Sequence, residues 1–190
     1  EANEAAIKLA RKYFKDQGQA DRYRIIAMEL SFHGRTLGTL SATGQEKIRK
    51  GFAPVLKGFD FVPFNDLDAL QNAIGNDTAA VFLEPIQGEG GVRVPDDDYL
   101  AAIRRLCDDT GTLLILDEIQ TGVGRTGRLF GYEHFGITPD IMTLAKALGN
   151  GFPIGAMLAT ESVAAAFTPG AHASTFGGTP LVTAAALAVV

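Results

Sequence analysis

The segment from Leu113 to Gly127, LLILDEIQTGVGRTG, restricts the fold of this chain more than any other stretch. Apolar residues run without a break into a carboxylate, Asp117, and the chain then turns glycine-rich. A continuous apolar run bounded by turn signals suits a strand buried on both faces, as the strands of a parallel sheet are, and such strands present their functional groups at the carboxyl end. A charge leaving a buried strand must be solvated, paired or bound to something cationic, because burying it alone costs several kcal/mol. Ala79 to Leu83 repeats the pattern and runs into Glu84.

The rest of the chain alternates helical and strand signals. Glu1 to Lys15 places Ala6, Ile7, Ala10 and Phe14 near helical spacing, and Arg24 to Met28 is a short strand. A polar and aromatic loop, SFHGRTLG, leads to a helix start near Thr36, and Gly44 to Asp60 is a charged surface excursion. Asn65 is the expected N-cap of a helix over 66–74. Tyr99 to Asp109 is a helix with Leu100, Ile103, Leu106 and Cys107 inward, stopped by Gly111. Strands are expected at 113–117, 141–144 and 155–159, with helices from Glu161, capped by Thr160, and from Thr179. This alternation predicts an α/β fold with a mostly parallel central sheet flanked by helices.

With 190 residues, 46% of them hydrophobic, the chain can bury the core of one large domain. The net charge of −5 comes without a basic block, which excludes nucleic acid and anionic membrane as expected partners. Cys107 is the only cysteine, so neither a disulfide framework nor a cysteine-based zinc site is available, and a reducing cytoplasm is the expected setting. The longest apolar runs, such as Leu181 to Val190, fall short of a membrane span. Glu1 enters a helix without a Met or a cap and the chain stops within another, so a piece of a longer protein is expected.

Lys146 follows the apolar stretch IMTLA and is expected to emerge from a buried element into a cleft. In an apolar site a lysine amine becomes a usable nucleophile toward an aldehyde. Asp117 at a strand end can hold a protonated ring nitrogen, and Ser174-Thr175 ahead of Gly177-Gly178 can offer hydroxyls and amides to a phosphate. Pyridoxal phosphate combines those three needs. Taken singly, each residue has a plainer reading: a surface lysine, a core ion pair, a turn.

The blocks EANEAAIKLAR, SFHGRTLG, FLEPIQGEGGV, LLILDEIQTGVGRTG, GITPDIMTLAKALGNGFPIGAM and STFGGTP cover nearly the whole chain in this order. Together they resemble the class III, ornithine-type pyridoxal-phosphate aminotransferases, and within them the acetylornithine-type members. The resemblance implies fold type I, with residues 1–190 as the large cofactor-binding domain and with an N-terminal segment and a C-terminal small domain outside it. It implies that Lys146 holds the cofactor as a Schiff base and moves the proton between substrate and cofactor carbons, and that Asp117 pairs with the pyridinium nitrogen. Ile119 and Phe32 are implied to pack on the two ring faces, and Gln120 to bond the ring hydroxyl. Ser174 and Thr175 are implied to reach the phosphate of the neighbouring subunit's cofactor, hence a homodimer with shared sites. Arg35 is implied to hold a substrate carboxylate, which suits a guanidinium, and Glu89 to mask a second substrate-binding arginine. Glu84 is read as support, Glu118 as structural, and His33 and His172 as hydrogen-bonding or packing residues. Thr179 stands where the family usually has asparagine.

The implied activity is a ping-pong transfer of the terminal amine of N-acetylornithine to 2-oxoglutarate, a step of arginine biosynthesis. Ornithine, succinylornithine and 4-aminobutyrate remain alternative donors, and a non-catalytic dimerising fragment is a further reading. A nucleotide-binding α/β domain is disfavoured, since GEGG does not match GxGxxG and no GxxxxGK[ST] occurs.

Overall fold

The computed structural model describes residues 1–190. α1 (Ala2–Asp16) leads into β1 (Arg24–Met28), followed by α2 (Leu37–Ala42), α3 (Glu46–Arg49), β2 (Phe59–Val62), α4 (Leu67–Ala73) and β3 (Thr78–Leu83). Then come α5 (Tyr99–Thr110), β4 (Leu113–Asp117), β5 (Ile141–Leu144), β6 (Ala156–Ala159), α6 (Glu161–Ala164) and α7 (Pro180–Val189), with 3-10 turns at Gly131–Phe135 and Lys146–Gly149. The strands form one six-stranded sheet in the order β2-β1-β3-β4-β5-β6. Every neighbouring pair is parallel except β5 and β6. The fold is thus α/β with a mostly parallel sheet, as the alternation of elements predicts.

Every residue of β3, β4 and β5 is buried, because helices cover both faces of the sheet and leave no polar side to alternate with. On one face Ile25, Phe82, Ile115 and Ile141 pack with Leu9 and Phe14 of α1. On the other, Ile26, Val81 and Leu114 pack with Leu70 of α4 and Leu100 and Ile103 of α5. Each large apolar side chain so removed from water contributes roughly 1.5–3 kcal/mol, so these two layers fix the sheet on which the loops are mounted. α5 ends at Gly111, whose φ of 63° closes it in the left-handed conformation that glycine adopts without strain.

Side chains alternate across a strand, and this carries the apolar layers into polar ones at the carboxyl ends. Beyond Phe82 the next residue facing α1 is Glu84, beyond Ile115 it is Asp117, and beyond Ile141 it is Thr143. The register sets Asp117 opposite Thr143.

Two local expectations change. Phe59–Val62 is a strand and not the end of a surface excursion; it lies at the sheet edge, where only Val62 is fully buried, so its apolar signal is weak. Asp66, and not Asn65, caps α4: its Oδ1 accepts from the Ala69 N–H at 2.8 Å. Asn65 instead takes a left-handed φ of 73° and its Oδ1 accepts from the Asp96 N–H at 3.0 Å. Both residue types cap well, so only the backbone conformation decides between them. No helix is long and apolar enough to cross a membrane.

Candidate active site

Parallel strands bring their carboxyl ends to one edge of a sheet, where ligand crevices form. A cavity of about 210 Å³ opens at that edge, and Phe32, Arg35, Asp117, Ile119, Gln120 and Lys146 all line it. These residues come from three places: the loop after β1, the end of β4 with the turn that follows it, and the turn after β5.

Asp117 is only 4% exposed, and its charge is met from several elements at once. At Oδ2 it accepts from Asn3 Nδ2 at 2.7 Å and lies 2.8 Å from His33 Nδ1; at Oδ1 it accepts from the Ile119 N–H at 3.1 Å. Asn3 Nδ2 also donates to the His33 carbonyl at 2.8 Å, and its Oδ1 accepts from the Thr143 hydroxyl at 2.6 Å. One amide in the first turn of α1 therefore joins the ends of β4 and β5 to the loop after β1. Sequence reasoning assigned Asn3 no role. Its signal was position: it lies three, four and seven residues before Ala6, Ile7 and Ala10, an asparagine within an apolar stripe. His33 does both things expected of it, since besides meeting Asp117 it stacks on Phe82 with ring centroids 3.8 Å apart.

Glu84 is a second buried carboxylate on the same side of the sheet. The Phe32 N–H donates to its Oε2 at 3.1 Å and the Gly88 N–H to its Oε1 at 3.3 Å. Burial raises its carboxyl above the ordinary glutamate value; Asp117 adds to this, while His33 and the two amides oppose it. Glu118 points away from the cavity and binds the Thr121 hydroxyl and the N–H groups of Gly131 and Tyr132. It is structural in this arrangement. Arg35 sits over the Phe32 ring at 5.5 Å from its centroid, within cation–π range. Gly88 and Gln120 lie so close that a Cβ on the glycine would meet Gln120 Oε1 at 2.9 Å.

Lys146 follows the buried strand β5 and lines the cavity, as expected, but the residue is exposed rather than enclosed in an apolar site. The apolar stretch before it is β5, and Lys146 lies past the strand end in a 3-10 turn with a left-handed φ of 45°. Such a φ is uncommon for a residue with a side chain and recurs at functional sites. Ser174, Thr175 and Glu89 are exposed and do not line the cavity of Asp117. Ser174 borders a neighbouring cleft that shares Ile119 with it.

No group of three or more His, Cys, Asp or Glu side chains is placed to hold a metal ion. The cavity offers instead a primary amine, a fixed carboxylate, a guanidinium, an amide and two apolar walls. An amine and a carboxylate on one cavity can capture a carbonyl and hold a cationic nitrogen beside it.

Comparison with known proteins gives the same picture over the whole chain. It is 59% identical to the acetylornithine aminotransferase of Caldanaerobacter subterraneus subsp. tengcongensis over 190 residues, which is all of this chain and 48% of that one. It is 57% identical to that of Myxococcus xanthus, covering 47% of it. The chain thus spans about half the length of the curated relatives it matches. Among solved structures, the ornithine aminotransferase from Toxoplasma gondii superposes with a TM-score of 0.96 at 40% identity, over all of this chain and 46% of that one. An amine transaminase from an uncultivated Pseudomonas species, solved in its PLP-bound form, gives 0.91 at 33% identity over 99% of this chain and 49% of its own. Residues 1–190 match the family model described as aminotransferase class-III, and the chain belongs to the class-III aminotransferase family.

Proposed function

We propose that residues 1–190 are the large cofactor-binding domain of a pyridoxal-phosphate-dependent aminotransferase. It moves the terminal amine of N-acetylornithine to 2-oxoglutarate in two half-reactions, as a cytoplasmic homodimer with shared sites serving arginine biosynthesis. The observation that carries the reading is that Lys146 and Asp117 line one cavity together with Phe32, Ile119 and Gln120. Relatives 59% and 57% identical that are named acetylornithine aminotransferase support the choice of donor.

The side chains present fit the cofactor. Asp117 Oδ1 takes a single donor, the Ile119 N–H, and so keeps an acceptor position for a protonated ring nitrogen. Phe32 and Ile119 offer apolar faces to a planar ring, and Gln120 a donor to its hydroxyl. Pyridoxal phosphate, when bound, supplies a carbonyl carbon open to amines and a ring that takes up the electron pair left when a C–H bond breaks. Lys146 Nζ holds the cofactor and then moves the proton taken from the substrate carbon. Asp117 keeps the ring-nitrogen proton in place, which makes that electron pair cheap to accept. Arg35 orients a donor carboxylate through a two-pronged contact, and Glu89 pairs with a second carboxylate-binding arginine when no acid occupies it. Ser174 and Thr175 reach the partner subunit's cofactor phosphate, consistent with their exposure here.

The test is borohydride reduction of the full-length protein followed by peptide mass mapping, then kinetics over a panel of ω-amino donors. A reduced pyridoxyl adduct on Lys146, lost in Lys146→Ala, is expected; an unmodified Lys146 would end the proposal. A preference for 4-aminobutyrate over N-acetylornithine would end the assignment of the donor alone.

A further inference from the structure

The buried imidazole of His33 has no part in the chemistry described above, and one of its nitrogens is orphaned. Its side chain is fully buried. Its ring stacks on Phe82 at an interplanar angle of 17°, its N–H donates to Thr43 Oγ1 at 3.0 Å, and its carbonyl accepts from Asn3 Nδ2 at 2.8 Å. Ring and backbone are therefore both fixed. Nδ1 lies 2.8 Å from Asp117 Oδ2, whereas Nε2 is buried without any partner.

A neutral imidazole carries one N–H and one lone pair. With the proton on Nε2, a buried donor would go unpaired and the Nδ1 lone pair would face a carboxylate oxygen at hydrogen-bond distance, two costs at once. With the proton on Nδ1, the ring donates to Asp117 and leaves only a lone pair unmet. The orientation of Asn3 is equally determined: the His33 carbonyl can only accept, so the amide nitrogen must face it, and the Thr143 hydroxyl donates to the amide oxygen. Oδ2 of Asp117 then has two donors and Oδ1 has one. The carboxylate cannot rotate without breaking both bonds at Oδ2, and its remaining acceptor capacity is left at Oδ1.

Resting on the function proposed above, we infer that His33 is a positioning residue: as the Nδ1–H tautomer, with Asn3 beside it, it pins Oδ2 of Asp117 so that Oδ1 is presented to the cofactor's ring nitrogen. Two substitutions separate this role from simple packing. His33→Asn puts an amide N–H where Nδ1 stood, and His33→Gln puts one where Nε2 stood. Glutamine is closer to histidine in volume, so packing alone would rank Gln above Asn, whereas donor placement ranks Asn above Gln.

The measurements are the dissociation constant for pyridoxal phosphate and the ¹⁵N shift of its labelled ring nitrogen, both on the full-length protein. His33→Gln is expected to weaken cofactor binding about tenfold to a hundredfold, the range for losing a hydrogen bond to a charged group, and to move the ring nitrogen toward its unprotonated shift. His33→Asn is expected to bind and resonate like the parent. Equal behaviour of the two variants, or an unchanged ring-nitrogen shift in His33→Gln, overturns the inference. So does a ¹⁵N spectrum of His33 in the cofactor-free protein that places the proton on Nε2. A parent protein that binds no pyridoxal phosphate would bring down the functional reading and this inference together; the other failures bring down this inference alone.

Discussion

Replacing Glu118 by alanine should release the loop that carries Ile119 and Gln120 while leaving the sheet intact. Glu118 is 1% exposed, and three donors converge on it: the Thr121 hydroxyl, the Gly131 N–H at 2.9 Å and the Tyr132 N–H at 2.8 Å. The side chain thus fastens the turn after β4 to the 3-10 turn at Gly131–Phe135. Alanine would strand two backbone N–H groups, and a buried donor left unpaired costs about 1–3 kcal/mol, so the gross loss is about 2–6 kcal/mol. Part of this is returned. Burial holds the Glu118 carboxyl above its ordinary value, with Thr121, Gly131 and Tyr132 pulling against it, so its charged form carries a desolvation cost that alanine removes. A net loss of about 2–4 kcal/mol is expected. Urea unfolding of the full-length protein reads the total, and amide hydrogen exchange locates it: Gly131 and Tyr132 should lose protection while Leu114 to Leu116 of β4 keep theirs. A loss under about 1 kcal/mol, with both loop amides still protected, would refute the claim that this carboxylate holds the loop.

Three further outcomes are expected. Gly44→Ala would set a Cβ 2.1 Å from the Met28 carbonyl oxygen, backbone that cannot yield, so about 3 kcal/mol or more should be lost. Gly51→Ala, with φ +91° but open space around it, should cost only about 1–2 kcal/mol; thermal melts showing the reverse order would contradict the reading. Burial pushes the Cys107 thiol up to about 12, so iodoacetamide at about pH 8 should leave it unmodified until denaturant is added; rapid labelling of the native protein would show an accessible thiol. Burial also raises the Glu84 carboxyl above the ordinary glutamate value. An acid raised in this way favours the folded state while protonated, and that contribution is lost as the pH rises through its folded value. Glu84→Gln cannot titrate, so its Tm relative to the parent should improve as the pH climbs from about 4 to 8, and a difference constant over that range would sink the claim.

What the sequence made legible was whatever depended on residues close together in the chain. β3, β4 and β5 are apolar runs because both of their faces are covered, and the same runs lead the eye to Glu84 and Asp117 at their ends. β2 was hidden because an edge strand with one fully buried residue has no such run. Six of the expected site residues do gather on one cavity. The partners of Asp117 were not legible: Asn3 lies 114 residues away and His33 lies 84 away, and no spacing rule joins them. They follow from topology. β4 and β5 are neighbours, α1 crosses the face on which Asp117 and Thr143 project, and the loop after β1 returns over the same edge. Lys146 emerges from the buried β5 into the cavity, as the apolar run before it predicts, but its own exposure was not legible. Its apolar neighbours in sequence belong to a strand that ends two residues earlier, so their burial says nothing about its own.

The contrast between buried Asp117 and exposed Lys146 follows from the elements that carry them. Under the proposed function, Asp117 has to keep a proton on a ring nitrogen and Lys146 has to carry one, and the first task needs a group that cannot turn away: Asp117 ends a fully buried strand with donors from α1, the loop after β1 and its own turn. A group meant to hold a cofactor and then carry a proton between two carbons needs reach. Lys146 has it, with a flexible four-carbon stem on a turn just beyond the sheet. The left-handed φ of 45° at Lys146 costs on the order of 1–3 kcal/mol, and the packed strand before it and the turn after it hold it there. Under the proposed function the two demands conflict within a single element: a lysine buried as deeply as Asp117 could not swing, and an aspartate as exposed as Lys146 would be free to rotate and to bind water. Placing one at the last residue of a strand and the other two residues past the end of its neighbour meets both.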